Sequence, residues 1–137
     1  MSDVDPPASS GLQQNKLQQG TLSEKLSQFE EQWAPRVIAK LNGQEVKLAR
    51  LEGPFEWHCH PEADELFLVL GGHLTIELRN QDEIRLEEGD YCVVPAGMEH
   101  RPVAEEGEAQ VLLFEQSGTR NTGDHESDRT IDEPQRI

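Results

Sequence analysis

Phe55-Glu56-Trp57-His58-Cys59-His60-Pro61-Glu62-Ala63-Asp64-Glu65-Leu66-Phe67-Leu68-Val69-Leu70-Gly71-Gly72 is the stretch on which the reading turns. Its second half alternates. On an extended chain Phe67 and Val69 fall on one side and Leu66, Leu68 and Leu70 on the other. A strand apolar on both sides needs two covers, so a second sheet, a helix or another subunit is expected over the Leu66 side. In the first half, His58 and His60 project from one side of an extended segment as a clamp of two imidazoles, with Cys59 turned away. Glu65 follows at a spacing that an unbroken strand would turn to the opposite side. Pro61 removes that conflict, because Pro61-Glu62-Ala63-Asp64 forms a turn that resets the phase and brings Glu65 to the side of Phe67 and Val69. On spacing alone Glu62 and Asp64 compete with Glu65 as the carboxylate.

Moving outward, the period of two holds from Glu45 to Gln116, in short runs of Val, Leu and Ile separated by Gly, Pro and Asn. Strands are expected near 46–51, 55–60, 65–70, 73–79, 82–86, 91–94 and 109–115. Turns fall at Gly53-Pro54, Pro61, Gly71-Gly72, Asn80-Gln81, Glu88-Gly89 and Pro95-Ala96-Gly97. Many short strands with no helical pattern between them give an all-β class, an antiparallel sandwich or barrel. Upstream, Leu22, Leu26, Phe29 and Trp33 recur at helical spacing before Pro35, which predicts one short helix over 22–33. Residues 1–20 are rich in Ser, Gln, Pro and Gly and read as a flexible leader. Residues 117–137 read as a polar, acidic tail with little order, in which Asn121-Thr122-Gly123-Asp124 is a loop packed on the barrel. One domain, 21–116, lies between them, since 137 residues hold one core.

A fourth candidate ligand, His100, follows the tight turn Pro95-Ala96-Gly97, which returns a remote chain segment toward the clamp. Three imidazoles and one carboxylate suit one divalent ion, Fe, Mn, Ni or Zn, and leave an octahedral ion two open positions for water, oxygen or a chelating substrate. Tyr91 and Arg101 are weaker catalytic candidates, as a proton donor and an anion-binding cation. Phe55 and Trp57 are candidate apolar walls. Cys59 and Cys92 are expected to be reduced thiols without a catalytic role.

The formal charge of −15, from 27 acidic and 12 basic residues, opposes phosphate backbones and anionic lipid, so neither nucleic acid nor membrane is an expected partner. No apolar run approaches the roughly 18–20 residues of a spanning helix, and the first residues lack a basic-then-apolar signal, so a cytoplasmic setting is expected.

Gly53, His58-Cys59-His60, Glu65 and Gly72 resemble the first motif of the cupins, and Gly89 through Pro95-Ala96-Gly97 to His100 resembles the second, over roughly residues 45–116. The chain looks like a small single-domain microbial cupin. Two departures stand: one residue fewer than usual separates Gly53 from His58, and Ala104 replaces the asparagine that usually ends the second motif. The resemblance implies a double-stranded β-helix, or jelly-roll barrel, in a homodimer, with the metal at the barrel mouth on His58, His60, Glu65 and His100. It also implies a small-molecule substrate or ligand. Cupins include dioxygenases, isomerases, lyases, decarboxylases and metal-free sugar binders, so fold alone does not choose the chemistry. A metal-dependent dioxygenase or a Lewis-acid isomerase or lyase is the first expectation, and a non-catalytic binding or sensor module for an acid or sugar is the alternative.

Overall fold

The computed structural model describes residues 16–137; most of the expected leader, residues 1–15, lies outside the described residues. A five-residue helix, α1 (Leu22–Leu26), precedes seven strands: β1 (Arg36–Leu41), β2 (Gln44–Pro54), β3 (Glu65–Gly71), β4 (Leu74–Leu78), β5 (Ile84–Leu86), β6 (Tyr91–Val94) and β7 (His100–Gln116). The seven strands pair with one another antiparallel throughout, in the order β1-β2-β7-β3-β6, with β4 joining β5 and β7. The long β7 closes the sheet on itself. Its last residues run between β2 and β3, while its first, His100 to Val103, pair with β4. The result is the expected all-β jelly-roll barrel with one short helix.

Two turns explain much of this geometry. Asn42 and Gly43 both have positive φ, 52° and 76°, as a two-residue hairpin turn requires, and they join β1 to β2. Gly72, at φ 73°, lies so close to β7 that a Cβ would sit 2.6 Å from the Glu108 carbonyl oxygen, so glycine alone fits there. Inside, Ala49, Leu51, Phe67, Val69, Leu74, Ile76, Leu86, Val94, Ala104, Ala109, Val111 and Leu113 form one buried cluster.

Several expectations need correction. The helix stops at Leu26, not residue 33. The carbonyls of Leu26 and Phe29 accept hydrogen bonds from the Arg50 guanidinium (2.7 and 2.9 Å), which satisfies the chain end that further helix would otherwise occupy. Phe29 is nonetheless buried, against the guanidinium groups of Arg36 and Arg50. Trp33, at φ 60°, leaves the helical path to stack on Phe55 at 4.5 Å. Strand β1 was not anticipated, although Asn42-Gly43 signals a hairpin. Residues 55–60 form no strand; they meet β7 through the His58–His100 bridge and a hydrogen bond from Phe55 N to Pro102 O at 2.9 Å. Conversely β7 begins at His100, well before 109.

The outer side of β3 is only partly covered. Leu66 and Leu68 are half-buried, beside Val93 and Tyr91 of β6, which stay exposed in the single chain.

Residues 117–137 dock more closely than an aperiodic tail suggests. Asp124 N donates to Cys59 O and Cys59 N donates to Asp124 Oδ1 (2.9 and 3.0 Å), Arg129 donates to Pro54 O, and Ile137 N donates to Val37 O. Thr122 is fully buried. Hydrogen bonds to main-chain groups make these contacts, so hydrophobic period carries no trace of them.

Candidate metal centre

The four ligands arrive from three places in the fold: the segment between β2 and β3, the start of β3 and the start of β7. His58 is fixed by its two backbone hydrogen bonds with His100 (3.1 and 2.9 Å). His60 follows in the same segment and is tied to the second turn, where its carbonyl accepts from Gly97 N at 2.9 Å. Asp64 accepts from Ala96 N at 2.8 Å, so the two turns hold each other. Glu65 is the first residue of β3 and His100 the first of β7. One potential ligand atom from each of His58, His60, Glu65 and His100 lies within 4.8 Å of the others, and all four side chains are buried. Of the competing carboxylates, Asp64 is engaged as the turn clamp and Glu62 is exposed.

The donor set fits a metal ion. His58 Nδ1 lies 2.8 Å from Glu56 O and His100 Nδ1 lies 3.0 Å from Met98 O. A carbonyl only accepts, so both Nδ1 atoms carry the proton and both Nε2 atoms keep a lone pair. Both ring nitrogens of His60 and Nε2 of His100 are buried without a hydrogen-bond partner, a costly state that a coordinated cation would relieve. The same Nε2 atoms approach Glu65 Oε1, at 3.3 and 3.6 Å. Burial, and then the neighbouring His100, lower the His58 pKa to about 4, which keeps the ring neutral and ready to ligate at neutral pH. Burial alone would raise the Glu65 carboxyl, yet the His100 and His60 rings beside it hold it well below the usual carboxylate range.

Beside His58 and Glu65 lies a cavity of about 40 Å3, walled mainly by Trp33, Leu51, Phe55, Phe67 and Leu113, with Glu115 and Asn121 adding polar atoms. Phe55 thus takes the wall position expected of it and meets the His58 ring edge-on at 5.5 Å. Trp57 does not: it lies under the guanidinium groups of Arg79 and Arg101. Tyr91 is 69% exposed on the outside of β6, and Arg101 is bound to Glu77 through Nε and Nη2 (2.9 and 2.7 Å), so the structure brings neither to the cage. Burial first, then Asp124, raises the Cys59 thiol, and burial first, then Glu65, raises that of Cys92. Neither is an activated thiolate.

Trp33, Glu115 and Asn121 at this site went unnoticed in the sequence. Glu115 had a signal, because it alternates in phase with Leu113 and Val111 and so occupies an inward position of a strand. Asn121 and the nearby Gly123 had none. A Cβ on Gly123 would collide with the Cys59 carbonyl oxygen and lie 3.1 Å from His58 Cδ2, so this backbone passes directly over the clamp.

A barrel of this topology with three histidines and one glutamate at one end defines a cupin, and the family model for the cupin domain matches residues 42–115. The chain belongs to that family. It is 36% identical over 75 residues to the uncharacterized protein YdbB of Bacillus subtilis (strain 168), covering 55% of this chain and 66% of that relative, just under two thirds of its length. The crystal structure of a cupin-2 domain containing protein from Shewanella frigidimarina NCIMB 400 is similar at 42% identity and TM-score 0.67, over 70% of this chain and 92% of that one. Protein NMB1881 from Neisseria meningitidis is similar at 27% identity and TM-score 0.66, over 72% and 99%. No helix among the described residues is long and apolar enough to cross a membrane.

Proposed function

We propose that this chain is a metal-dependent cupin in which His58, His60, Glu65 and His100 hold one divalent ion, Fe, Mn, Ni or Zn, and in which a small oxygen-bearing molecule reacts beside it. The observation that carries this reading is the convergence of four buried ligand atoms, with orphaned imidazole nitrogens, in a cage of which His58 and Glu65 border an apolar cavity. When bound, the ion would supply a Lewis acid or a redox centre, for isomerase or lyase chemistry in the first case and dioxygenase chemistry in the second. The chain's own part is positioning. The Nδ1–H groups of His58 and His100 are anchored on backbone carbonyls, which aims their Nε2 atoms inward. The stacked Trp33 and Phe55 rings exclude water from one side of the cavity and offer an apolar face to the substrate. Asn121 supplies a polar atom at the same wall.

A second reading keeps the metal and the ligand but not the turnover: a binding or sensor module. Apart from the ligands, Glu115 and Asn121, the cavity lining is almost wholly apolar, and this scarcity of groups for proton transfer favours it.

Elemental analysis of protein purified without added metal tests the shared claim. About one equivalent of a divalent ion in the wild type, and loss of it in His60→Ala with the barrel's circular dichroism retained, is the expected result. Equal metal content in the two would overturn it. Oxygen uptake by iron-loaded protein, and isomerase or lyase screens with the other ions, then separate turnover from binding alone.

A further inference from the structure

Cross-strand register sets three carboxylates in one row. Glu115 of β7 is paired with Glu45 of β2 on one side and with Glu65 of β3 on the other, and all three are buried. The next row inward is Lys47–Leu113–Phe67 and the one after is Ala49–Val111–Val69, also buried. An ammonium therefore stands one step below the acids, at the boundary with the apolar core. Lys47 Nζ donates to Glu115 Oε2 at 2.8 Å, lies 3.6 Å from Glu45 Oε1, and reaches Thr119 O at 3.4 Å. The Lys47 and Glu115 side chains are each only 2% exposed. The other Glu115 oxygen, Oε1, has no donor, and this carboxyl lies against that of Glu65.

Stability gives a poor account of this arrangement. Like charges directly opposed across strands are destabilising, and a buried ion pair is commonly no better than apolar residues of the same size. Lys47 from inside and the half-exposed Lys40, whose Nζ lies 3.7 Å from Glu45 Oε2, face these three carboxylates, which leaves one formal negative charge that a divalent ion held by Glu65 would offset. We propose that Lys47 and Glu115 are positioning residues for the metal: Glu115 backs the Glu65 carboxylate from the side away from the ion, and Lys47 holds Glu115 in place and balances its charge. This inference rests on the metal-binding reading above.

The test uses the full chain and two variants, Lys47→Met/Glu115→Leu, which replaces the pair by apolar groups and leaves no single buried charge, and Glu115→Gln. Zn2+ affinity is measured by competition with a chromophoric chelator, and the visible spectrum is recorded after loading with Co2+. Loss of a partner behind a ligating group typically weakens metal binding about 10- to 100-fold. Both variants are expected to show that weakening, with a changed Co2+ spectrum, while the double variant unfolds in urea near the wild-type midpoint. If the double variant does not fold, Glu115→Gln decides. Wild-type affinity within twofold and an unchanged spectrum in the folded variants would overturn the inference alone. A wild-type chain that takes up neither ion would overturn the metal reading, and this inference with it.

Discussion

Acidifying the metal-free protein from pH 7 to pH 5 should weaken its fold through His58 in particular. That side chain is 3% exposed, and burial, followed by the neighbouring His100, lowers its pKa from the ordinary 6.5 to about 4. An unfolded chain takes up this proton near pH 6.5, whereas the folded chain resists it until about pH 4. Between those values the unfolded state binds more protons, so stability is intact above the window and declines as pH falls through it. Integrated over the shift, the loss is about 2 kcal/mol by pH 5 and about 3 kcal/mol by pH 4. His58→Gln removes this titration and keeps a side-chain N–H for the Glu56 carbonyl. Urea unfolding of both proteins with a chelator present, at pH 7 and at pH 5, isolates the effect, because the other titrating groups are common to the two chains. The wild type should lose about 2 kcal/mol more than the variant over that step. A difference below about 0.5 kcal/mol would refute the claim that this ring is held neutral by desolvation, since that lies within the error of the extrapolation.

Three further substitutions probe the frame around the site. Ile76→Ala empties a fully buried position in the core cluster and should lower stability by about 2–5 kcal/mol with metal stoichiometry unchanged; a smaller loss in urea would show that the barrel relaxes around the gap. Arg129→Ala removes a guanidinium 5.6 Å from both the Trp33 and Phe55 ring centres, together with its hydrogen bond to Pro54 O. Stability should fall by about 1 kcal/mol and Trp emission should shift, and an unchanged spectrum would count against this contact. Gly123→Ala places a methyl group against the Cys59 carbonyl at a φ of 57°. The Asp124 and Cys59 amides should then exchange with solvent at least about tenfold faster, since a left-handed non-glycine residue and a clash together exceed about 1 kcal/mol. Unaltered protection would show that the segment does not pass over the clamp as described.

The parts of the site that could be read from sequence are those that obey a period or break one. His58 and His60 share a side by parity, Pro61 predicts the phase change that brings Glu65 inward, and Pro95-Ala96-Gly97 predicts the return of His100; the four atoms meet within 4.8 Å. What escaped has other causes. The stripe Leu22-Leu26-Phe29-Trp33 has a helix's spacing, but spacing does not reveal that Arg50 will take the carbonyls of Leu26 and Phe29 and end the helix early. Residues 55–60 alternate like a strand yet lack a neighbour along most of their length, and pairing is a property of two segments. The docking of residues 117–137 depends on hydrogen bonds in which a main-chain group is paired with a distant main chain or side chain, and such pairs leave no hydrophobic period.

The row Glu45–Glu115–Glu65 was legible in part, and it joins the fold to the chemistry. On β7 and β3 the inward side chains change from apolar to charged at the same level, at Glu115 and Glu65, and on β2 one row earlier, at Lys47, because antiparallel register aligns the three strands. Below that level the barrel buries Ala49, Val111 and Val69, which stabilise it without directional demands. Above it, each buried polar group needs a partner, and four atoms without a hydrogen bond gather around the cage: both nitrogens of His60, Nε2 of His100 and Oε1 of Glu115. A barrel whose apolar half is complete, and whose polar half lacks partners at one point, is suited to be completed by a cation there. Metal binding should therefore raise the barrel's stability by an amount set by ion concentration, about 2.7 kcal/mol at one hundred times the dissociation constant. That gain should vanish in His60→Ala, whose lost imidazole takes one ligand from the cage without adding a buried charge. A metal-dependent shift of the unfolding midpoint that survived this substitution would place the ion elsewhere.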